Sequence, residues 1–429
     1  MNIALFTNTF TPHVGGVARS VEAFTEEYRR RGHQVLVVAP EFHDTPEHET
    51  GVIRIPAIQN FNTSDFSVAL PVPMILSGRL DSFQPDIIHS QHPFLLGTTA
   101  LRIARQRGLP LVFTHHTLYE QYTHYVPGDS PVLRRFVIEL ATQYANLCDQ
   151  VFAPSESVRE LLVERGVTAP VLVVPTGVQP ERFSHGDGSR FRRHNGIPDD
   201  AFVVGHLGRL APEKNLEFLA RSVAAYLQST PDAHFLVVGT GPSEKAIREI
   251  FTAAAVDDRL LLHGVLQHEQ LADALAAMDV FAFASMSETQ GMVLTEAMAA
   301  GLPVVALDAS GVREVVADGS NGRLLMAADE TEFTAALAWV ASLPEPERAA
   351  LSRAALETAD AWSMPRSADT ALACYERLLA TPAGHEHREE SGWNHVLARI
   401  RTEWDIIRSL ATAGEGALSE GVADDDKLD

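Results

Sequence analysis

The chain has 429 residues, 45% of them hydrophobic and 21% charged, an ordinary globular composition with length enough for two domains and sizeable cores. Asp plus Glu outnumber Lys plus Arg by 56 to 34, a formal net charge of −22. That balance excludes a general nucleic-acid binder, and recruitment to anionic membranes by bulk charge alone, because both need a basic face. Two cysteines, Cys148 and Cys374, exclude a disulfide framework and a cysteine metal cluster, and suit a reducing cytoplasm.

The opening residues reach Thr7-Asn8-Thr9 without a basic leader pattern, so no targeting segment is expected. Apolar stretches such as 68–76 are broken by proline and fall short of the ~20 residues that cross a bilayer. The expected location is cytoplasmic, with any membrane contact peripheral, on the inner face of the cell membrane. Only Lys214, Lys245 and Lys427 are lysines, so the placement of each carries information.

In chain order, strands are predicted at 3–7, 34–39, 52–56, 86–90, 111–114, 151–154 and 171–174, as short apolar runs of the kind buried in parallel sheets. Helical patterns lie between them at 16–31, 95–107, 132–147 and 155–165. Ser155 and Ser157 are candidate caps, and Gly32, Gly108 and Gly166 stand where a left-handed residue ends a helix. The polar interval 179–198 carries no strand signal. The rhythm then restarts, with strands at 202–206, 234–238, 260–262, 280–284 and 303–306. Helices at 215–228, 243–254, 269–278 and 293–300 separate them. Two βαβα blocks joined by one linker imply an α/β protein with two doubly wound sheets, and ligands of such sheets sit at the carboxyl ends of the strands. The expected division is a first domain over 1–178, a second over 179–359, a crossover helix over 360–381, and a tail over 382–429. That tail holds an amphipathic helix at 393–410 and an acidic end.

Four places combine a strand end with chemistry. Gly15-Gly16 follows the first strand and opens a helix, where bare backbone N–H groups can approach a phosphate; the alternative is a tight turn. Gly208-Arg209-Leu210-Ala211-Pro212-Glu213-Lys214 opens the second block in the same way. It offers a guanidinium fork and a point charge suited to a diphosphate, at a helix start where cations are otherwise disfavoured. Gly239-Thr240-Gly241 is half of a dinucleotide fingerprint with Glu244 in the third glycine position, and reads as a turn lining the same cleft. Glu288 and Glu296 bracket Gly291, Met292 and Val293 between a strand end and a helix. There the glycine region can present backbone N–H groups, and each carboxylate can accept two adjacent hydroxyls. The alternative for the glutamates is dipole complementation by Glu296 and an exposed Glu288.

The stretch 288–296 resembles the Glu-x7-Glu motif of family 4 retaining glycosyltransferases. The Gly15-Gly16 loop, Arg209 with Lys214, and Gly301-Leu302-Pro303-Val304-Val305 agree with that family in order and spacing over roughly residues 1–380. The resemblance implies the GT-B architecture, two Rossmann-like domains facing each other across a cleft, and transfer of a sugar from a nucleoside-diphosphate donor. By that resemblance Arg209 and Lys214 hold the diphosphate and Glu296 the ribose. Glu288 holds the sugar with the backbone of Gly291, Met292 and Val293, while Gly15, Gly16 and Gly241 complete the donor site.

A second stretch, Thr114-His115-His116-Thr117-Leu118-Tyr119-Glu120-Gln121-Tyr122-Thr123-His124-Tyr125, is similar to one in bacterial diacylglycerol α-glucosyltransferases. The match places the active-site histidine at His116, with His115 a packed neighbour. The resulting expectation is transfer of glucose from UDP-glucose to a lipid hydroxyl such as that of 1,2-diacylglycerol, with no nucleic-acid partner, no metal site and no cofactor required. The alternatives are a GDP-mannose-dependent mannosyltransferase, a glycosyltransferase with a soluble acceptor, a sugar-nucleotide epimerase and a non-catalytic nucleotide-sugar binder. The acidic balance stands apart from the basic character of lipid-acting members.

Overall fold

The computed structural model describes residues 1–380, apart from residues 14, 47–48, 59–67, 70–72, 122–129, 267 and 287. The tail expected over 382–429 lies outside the described residues. The chain divides into two compact units: Met1–Thr176 completed by the helical segment from Ser367 on, and Gly177–Arg366.

In the first unit, β1 (Asn2–Phe6) leads to α1 (Gly16–Arg30), then β2 (Gln34–Pro40) and β3 (Val52–Ile55). A small antiparallel ribbon of β4 (Ala57–Ile58) and β5 (Val68–Ala69) follows. Then come α2 (Pro73–Phe83), β6 (Ile87–Ser90), α3 (Leu96–Arg107), β7 (Leu111–Thr114), α4 (Pro131–Asn146), β8 (Gln150–Ala153), α5 (Glu156–Glu164) and β9 (Val171–Val173). Seven parallel strands form one sheet in the order β3-β2-β1-β6-β7-β8-β9, with Leu5 level with Val37 on one side and His89 on the other. Strand order reverses between β1 and β6. Every residue of β6, β7 and β8 is buried, which is why these strands read as continuous apolar runs rather than alternating ones. Ser155 caps α5 by accepting from the Val158 N–H, Ser130 caps α4 from the Leu133 N–H, and Gly108 ends α3 in the left-handed region.

The second unit opens with α6 (Gly188–Asn195) inside the polar interval. This helix is missing from the sequence reading because Phe191 is its one buried residue. Next come β10 (Phe202–Leu207), α7 (Leu216–Ser229), β11 (Ala233–Val238), α8 (Glu244–Ala253), β12 (Leu260–Leu262), α9 (His268–Ala276), β13 (Val280–Phe283), α10 (Met292–Ala299) and β14 (Val304–Leu307). A sixth strand, β15 (Gly322–Leu325), and the helices α11 (Glu330–Ser342) and α12 (Glu345–Ala361) complete it. The sheet order is β12-β11-β10-β13-β14-β15, all parallel, reversing between β10 and β13. Alternate strand residues feed two cores: Val203, Leu236, Phe281 and Val304 on one face, Val204, Phe235, Val280 and Val305 on the other.

The expected crossover helix starts later than its apolar pattern. The Val178 N–H donates to the Trp362 carbonyl at 2.9 Å and the Met364 N–H to the Val178 carbonyl at 2.7 Å, forming a parallel bridge at Ser363. Backbone committed to that bridge cannot continue α12, so α13 (Met364–Ala380) is a separate helix. Within the first unit, Tyr375 of α13 is fully buried. Its hydroxyl shares a 2.6 Å hydrogen bond with His89 Nδ1, whose Nε2 meets Thr114 Oγ1 at 2.7 Å, and the Tyr28 hydroxyl lies 3.3 Å from that of Tyr375.

His89, His92, His115 and His206 are all buried. Burial holds the first three down at about 3 and His206 at about 4, against an ordinary 6.5. Below pH 6.5 the unfolded chain therefore binds protons that the folded chain refuses. Stability falls as pH falls through that window, by up to ~1.4 kcal/mol per pH unit for each histidine. Thermal unfolding at about pH 5.5 should show a clearly lower midpoint than at about pH 7.5; equal midpoints would mean that these rings are not held neutral.

Candidate active site

In the first unit the polar residues gather where β1, β6 and β7 end. Asn8 is buried just past β1. Its side chain ties down the start of α3, with Nδ2 donating to the Phe94 carbonyl and Oδ1 accepting from the Leu96 N–H, both at 3.1 Å. Its own N–H donates to His92 Nδ1 at 3.1 Å. Gln91, buried after β6, accepts at Oε1 from His116 Nε2 at 2.7 Å. That bond crosses from β6 to β7 and fixes the orientation of the His116 ring. Burial pushes His116 down to about 4, so the ring is neutral near pH 7.

His115 points elsewhere. It is 2% exposed, sits edge-on to Phe113 and Tyr119, and among the described residues neither of its ring nitrogens has a hydrogen-bond partner. The adjacent histidines thus separate into one packed ring and one ring oriented by Gln91. Tyr122 and Tyr125 lie outside the described residues. Gly15 is the extended residue before α1, and a Cβ there would stand 3.2 Å from His13 Nε2; Gly16 opens the helix, exposed, with nothing within 4 Å of its absent side chain.

In the second unit the site forms where β10 and β13 end, on either side of the strand-order reversal. Gly208 leaves β10 at φ 151, and Arg209, Leu210 and a single turn of 3-10 helix at Pro212–Lys214 follow. Leu210 is fully buried and anchors this loop, donating its N–H to the Thr240 carbonyl and accepting from the Ser243 N–H, both at 2.9 Å. The loop after β11 therefore lies directly against it. A Cβ on Gly241 would stand 2.3 Å from the Leu210 carbonyl oxygen, and one on Gly239 would stand 1.9 Å from that of Gly208. The half-fingerprint thus serves close packing of two loops.

Both cations carry carboxylate partners. Arg209 pairs with Glu213, four residues on, and Lys214 pairs with Glu288 from the end of β13. Lys214 and Glu288 side chains are only 20% and 14% exposed, so water screens the pair weakly. A carboxylate holding an ammonium occupies the place that a phosphate oxygen can take. Gly291 is left-handed at φ 73, and α10 starts at Met292, so the Met292 and Val293 N–H groups have no partner inside the helix. Glu296 falls on the second turn of α10, not the first as the sequence suggested, and is 9% exposed. Dipole complementation at the helix start therefore does not account for it.

Sequence reasoning missed Asn8, Gln91 and Gly311. Gly311 sits at φ 74, and a Cβ there would stand 2.6 Å from both the N and Cα of Gln290, so the loop after β14 braces the Glu288 loop from behind. The strand order supplies the missing signal, since only it puts the ends of β1 and β6, or of β10 and β14, beside the recognised motifs. Among the described residues no group of three or more His, Cys, Asp or Glu side chains is placed to hold a metal ion. No helix among them is long and apolar enough to cross a membrane.

Comparison with known proteins adds independent findings. The family described as Glycosyltransferase Family 4 matches residues 14–182, and that described as Glycosyl transferases group 1 matches residues 187–358. An alpha-monoglucosyldiacylglycerol synthase of Streptococcus pneumoniae is 31% identical over 337 residues, 76% of this chain and 75% of its own length. A GDP-mannose-dependent alpha-mannosyltransferase of Corynebacterium glutamicum is 31% identical over 350 residues, 79% of this chain and 80% of its own. The fold matches that of Anabaena HepE in complex with UDP, with a TM-score of 0.70 at 22% identity, over 88% of this chain and 100% of that one.

Replacing Lys214 with alanine removes the half-buried cation and leaves Glu288 without it. Binding of UDP or GDP, measured by calorimetry, should weaken about 10- to 100-fold, the worth of one charged hydrogen bond. Lys245→Ala is the control: it is exposed on α8 against Glu249 and should change nothing. Equal affinities for the two variants would remove Lys214 from the anion site.

Proposed function

The chain belongs to the family 4 glycosyltransferases, and we propose that within it this enzyme transfers glucose from UDP-glucose, with retention, onto a lipid hydroxyl such as that of 1,2-diacylglycerol. The observation that carries the reading is the Lys214–Glu288 pair across the strand-order reversal of the second unit. A nucleoside-diphosphate sugar has the two functions that would replace each partner, phosphate oxygens for Lys214 and a sugar diol for Glu288. As the bond from the sugar to the diphosphate breaks, negative charge grows on the leaving oxygen. Arg209, Lys214 and the N–H groups that open α10 would stabilise it in place, with no metal required. Glu296 holds the ribose diol. The acceptor hydroxyl attacks the oxocarbenium-like sugar from the face the diphosphate leaves and gives its proton to the departing diphosphate oxygen, which keeps the α configuration. His116, neutral and oriented by Gln91, steadies the sugar.

A second donor, GDP-mannose, is supported by the mannosyltransferase relative, equal to the diacylglycerol synthase in identity. A donor panel of UDP-glucose, UDP-N-acetylglucosamine and GDP-mannose, with thin-layer separation of products from diacylglycerol, decides between them.

Lipid access is assigned to the first turns of α4. There Val132 is 40% exposed, Phe136, Val137 and Leu140 are partly buried, and Arg134 and Arg135 lie between. Burial of these apolar groups in the interface does not depend on salt, while each arginine adds only about 1 kcal/mol at an anionic surface. Peripheral binding to vesicles should be weak, survive moderate salt and drop in the Phe136→Ser/Leu140→Ser variant. Glycosylation of diacylglycerol should fall with it, and hydrolysis of the donor in water should not. Full activity on a soluble acceptor without vesicle binding would overturn the lipid assignment and leave the transferase.

The two histidines give a sharper outcome. His116→Ala should abolish transfer, whereas His115→Ala should retain most of the turnover at lower thermal stability. The reverse pattern would move the active-site role to His115.

A further inference from the structure

The last paired residues of β6 and β7 are Ser90 and Phe113. From there two side-chain rungs continue the join. His89 Nε2 meets Thr114 Oγ1 at 2.7 Å, and two residues further along each strand direction Gln91 Oε1 meets His116 Nε2, also at 2.7 Å. Steps of two residues in extended chain return to one face of the sheet, so the first rung stands below the second. His89, Gln91 and Thr114 are all buried.

The lower rung is held from its far side as well. His89 Nδ1 shares its 2.6 Å hydrogen bond with the Tyr375 hydroxyl of α13, and the ring lies edge-on to Phe152 of β8, on which Tyr375 stacks. A neutral ring has one donor and one acceptor and a hydroxyl can be either, so both nitrogens are satisfied whichever carries the proton. Packing alone does not call for this arrangement. Level with His89 stand Leu5 of β1 and Val112 of β7, and an apolar side chain among them would need no partner on either side. What the histidine adds is direction.

We propose that His89 is a positioning residue for His116: clamped by Tyr375, it fixes the Thr114 side chain and the spacing of the β6 and β7 ends, so that Gln91 stays within reach of His116 and keeps its proton on Nε2. The upper rung by itself joins two residues that lie past the paired strands. With the lower one it makes a frame, and α13, more than 250 positions on in the chain, closes that frame. A neutral imidazole divides its proton between two nitrogens unless a fixed partner selects one, and a ring that turns or changes tautomer loses its aim at a substrate. The inference rests on the active-site reading of His116, and it makes a statement about the nucleotide-free protein that stands apart from it.

That statement is tested first, by 15N spectra of the nucleotide-free protein near pH 7. The His116 signals, identified by their loss in His116→Gln, should show one tautomer with the proton on Nε2. Thr114→Val keeps the branched shape and removes the hydroxyl, so the two ring signals should move toward each other. Tyr375→Phe should move them the same way, by less. Tyr144→Phe is the control for loss of a buried hydroxyl elsewhere in the unit: its 2.8 Å bond to the Gly97 carbonyl goes, the melting temperature falls, and the His116 signals stay. Unmoved His116 signals in Thr114→Val overturn the proposal, and so does an equal movement in Tyr144→Phe.

Kinetics supply the second arm. In Thr114→Val kcat should fall about tenfold with KM changed less, and Thr114→Ser, which restores the hydroxyl, should recover much of the loss. Wild-type kcat in folded Thr114→Val also overturns the role, and if that variant does not fold, the Tyr375→Phe spectra decide. Undiminished turnover in His116→Ala, beside moved signals in Thr114→Val, overturns the active-site reading of His116 and leaves the frame.

Discussion

Burial of parallel strands on both faces is the constraint from which the rest of this protein follows. A strand inside such a sheet commits successive side chains to two cores, so it has no wet face on which a functional group can stand. Polar chemistry is left to the strand ends, and where strand order reverses two neighbouring loops part and leave room between them. Asn8, Gln91 and His116 in one unit, and Arg209, Lys214 and Glu288 in the other, all stand just beyond a carboxyl end. His206 lies inside its strand rather than past it, and among the described residues its Nε2 has no hydrogen-bond partner.

The two carboxylate pairs bear on how an acidic protein could hold the anion site proposed above. With a formal charge of −22, the chain as a whole repels a phosphate, but charge beyond about 8 Å is largely screened at physiological ionic strength. On that reading, what a donor meets at close range is a cation already paired and ordered. Glu213 and Glu288 keep the side chains of Arg209 and Lys214 in place before any ligand arrives, so the side-chain entropy is lost on folding rather than on binding.

Much of this was legible in the sequence, and each miss has a physical cause. Strand 111–114 is legible to the residue, because burial on both faces forces an uninterrupted apolar run, and the partly buried edge strand 260–262 is legible from its three leucines. Helix α6 escaped notice because one buried phenylalanine makes no stripe, and α12 because Leu351, Ala355 and Ala359 make a thin one. The break before α13 is a tertiary effect: the Val178 backbone captures that of Trp362 and Met364, and nothing local announces it. Site residues carried by a contiguous motif were found together. Gln91 and Gly311 act on a motif from another strand's end, a relation that exists only once strand order is known.

The return of α13 to the first unit bears on how the chain is made. Tyr28 and Tyr375, 347 positions apart, meet in one core, while the second unit is a single uninterrupted span, Gly177–Arg366. Domains fold as units, and synthesis delivers them from the amino end. Here the amino-terminal sheet emerges first yet lacks the helix that covers His89 and Tyr28, and the ribosome must pass the whole second unit before supplying it. The later-encoded unit can therefore reach its native state first. The earlier one waits, with part of its apolar face uncovered, while residues 177–366, a little under half of the chain, are made, and an uncovered apolar face is open to misassembly for that interval.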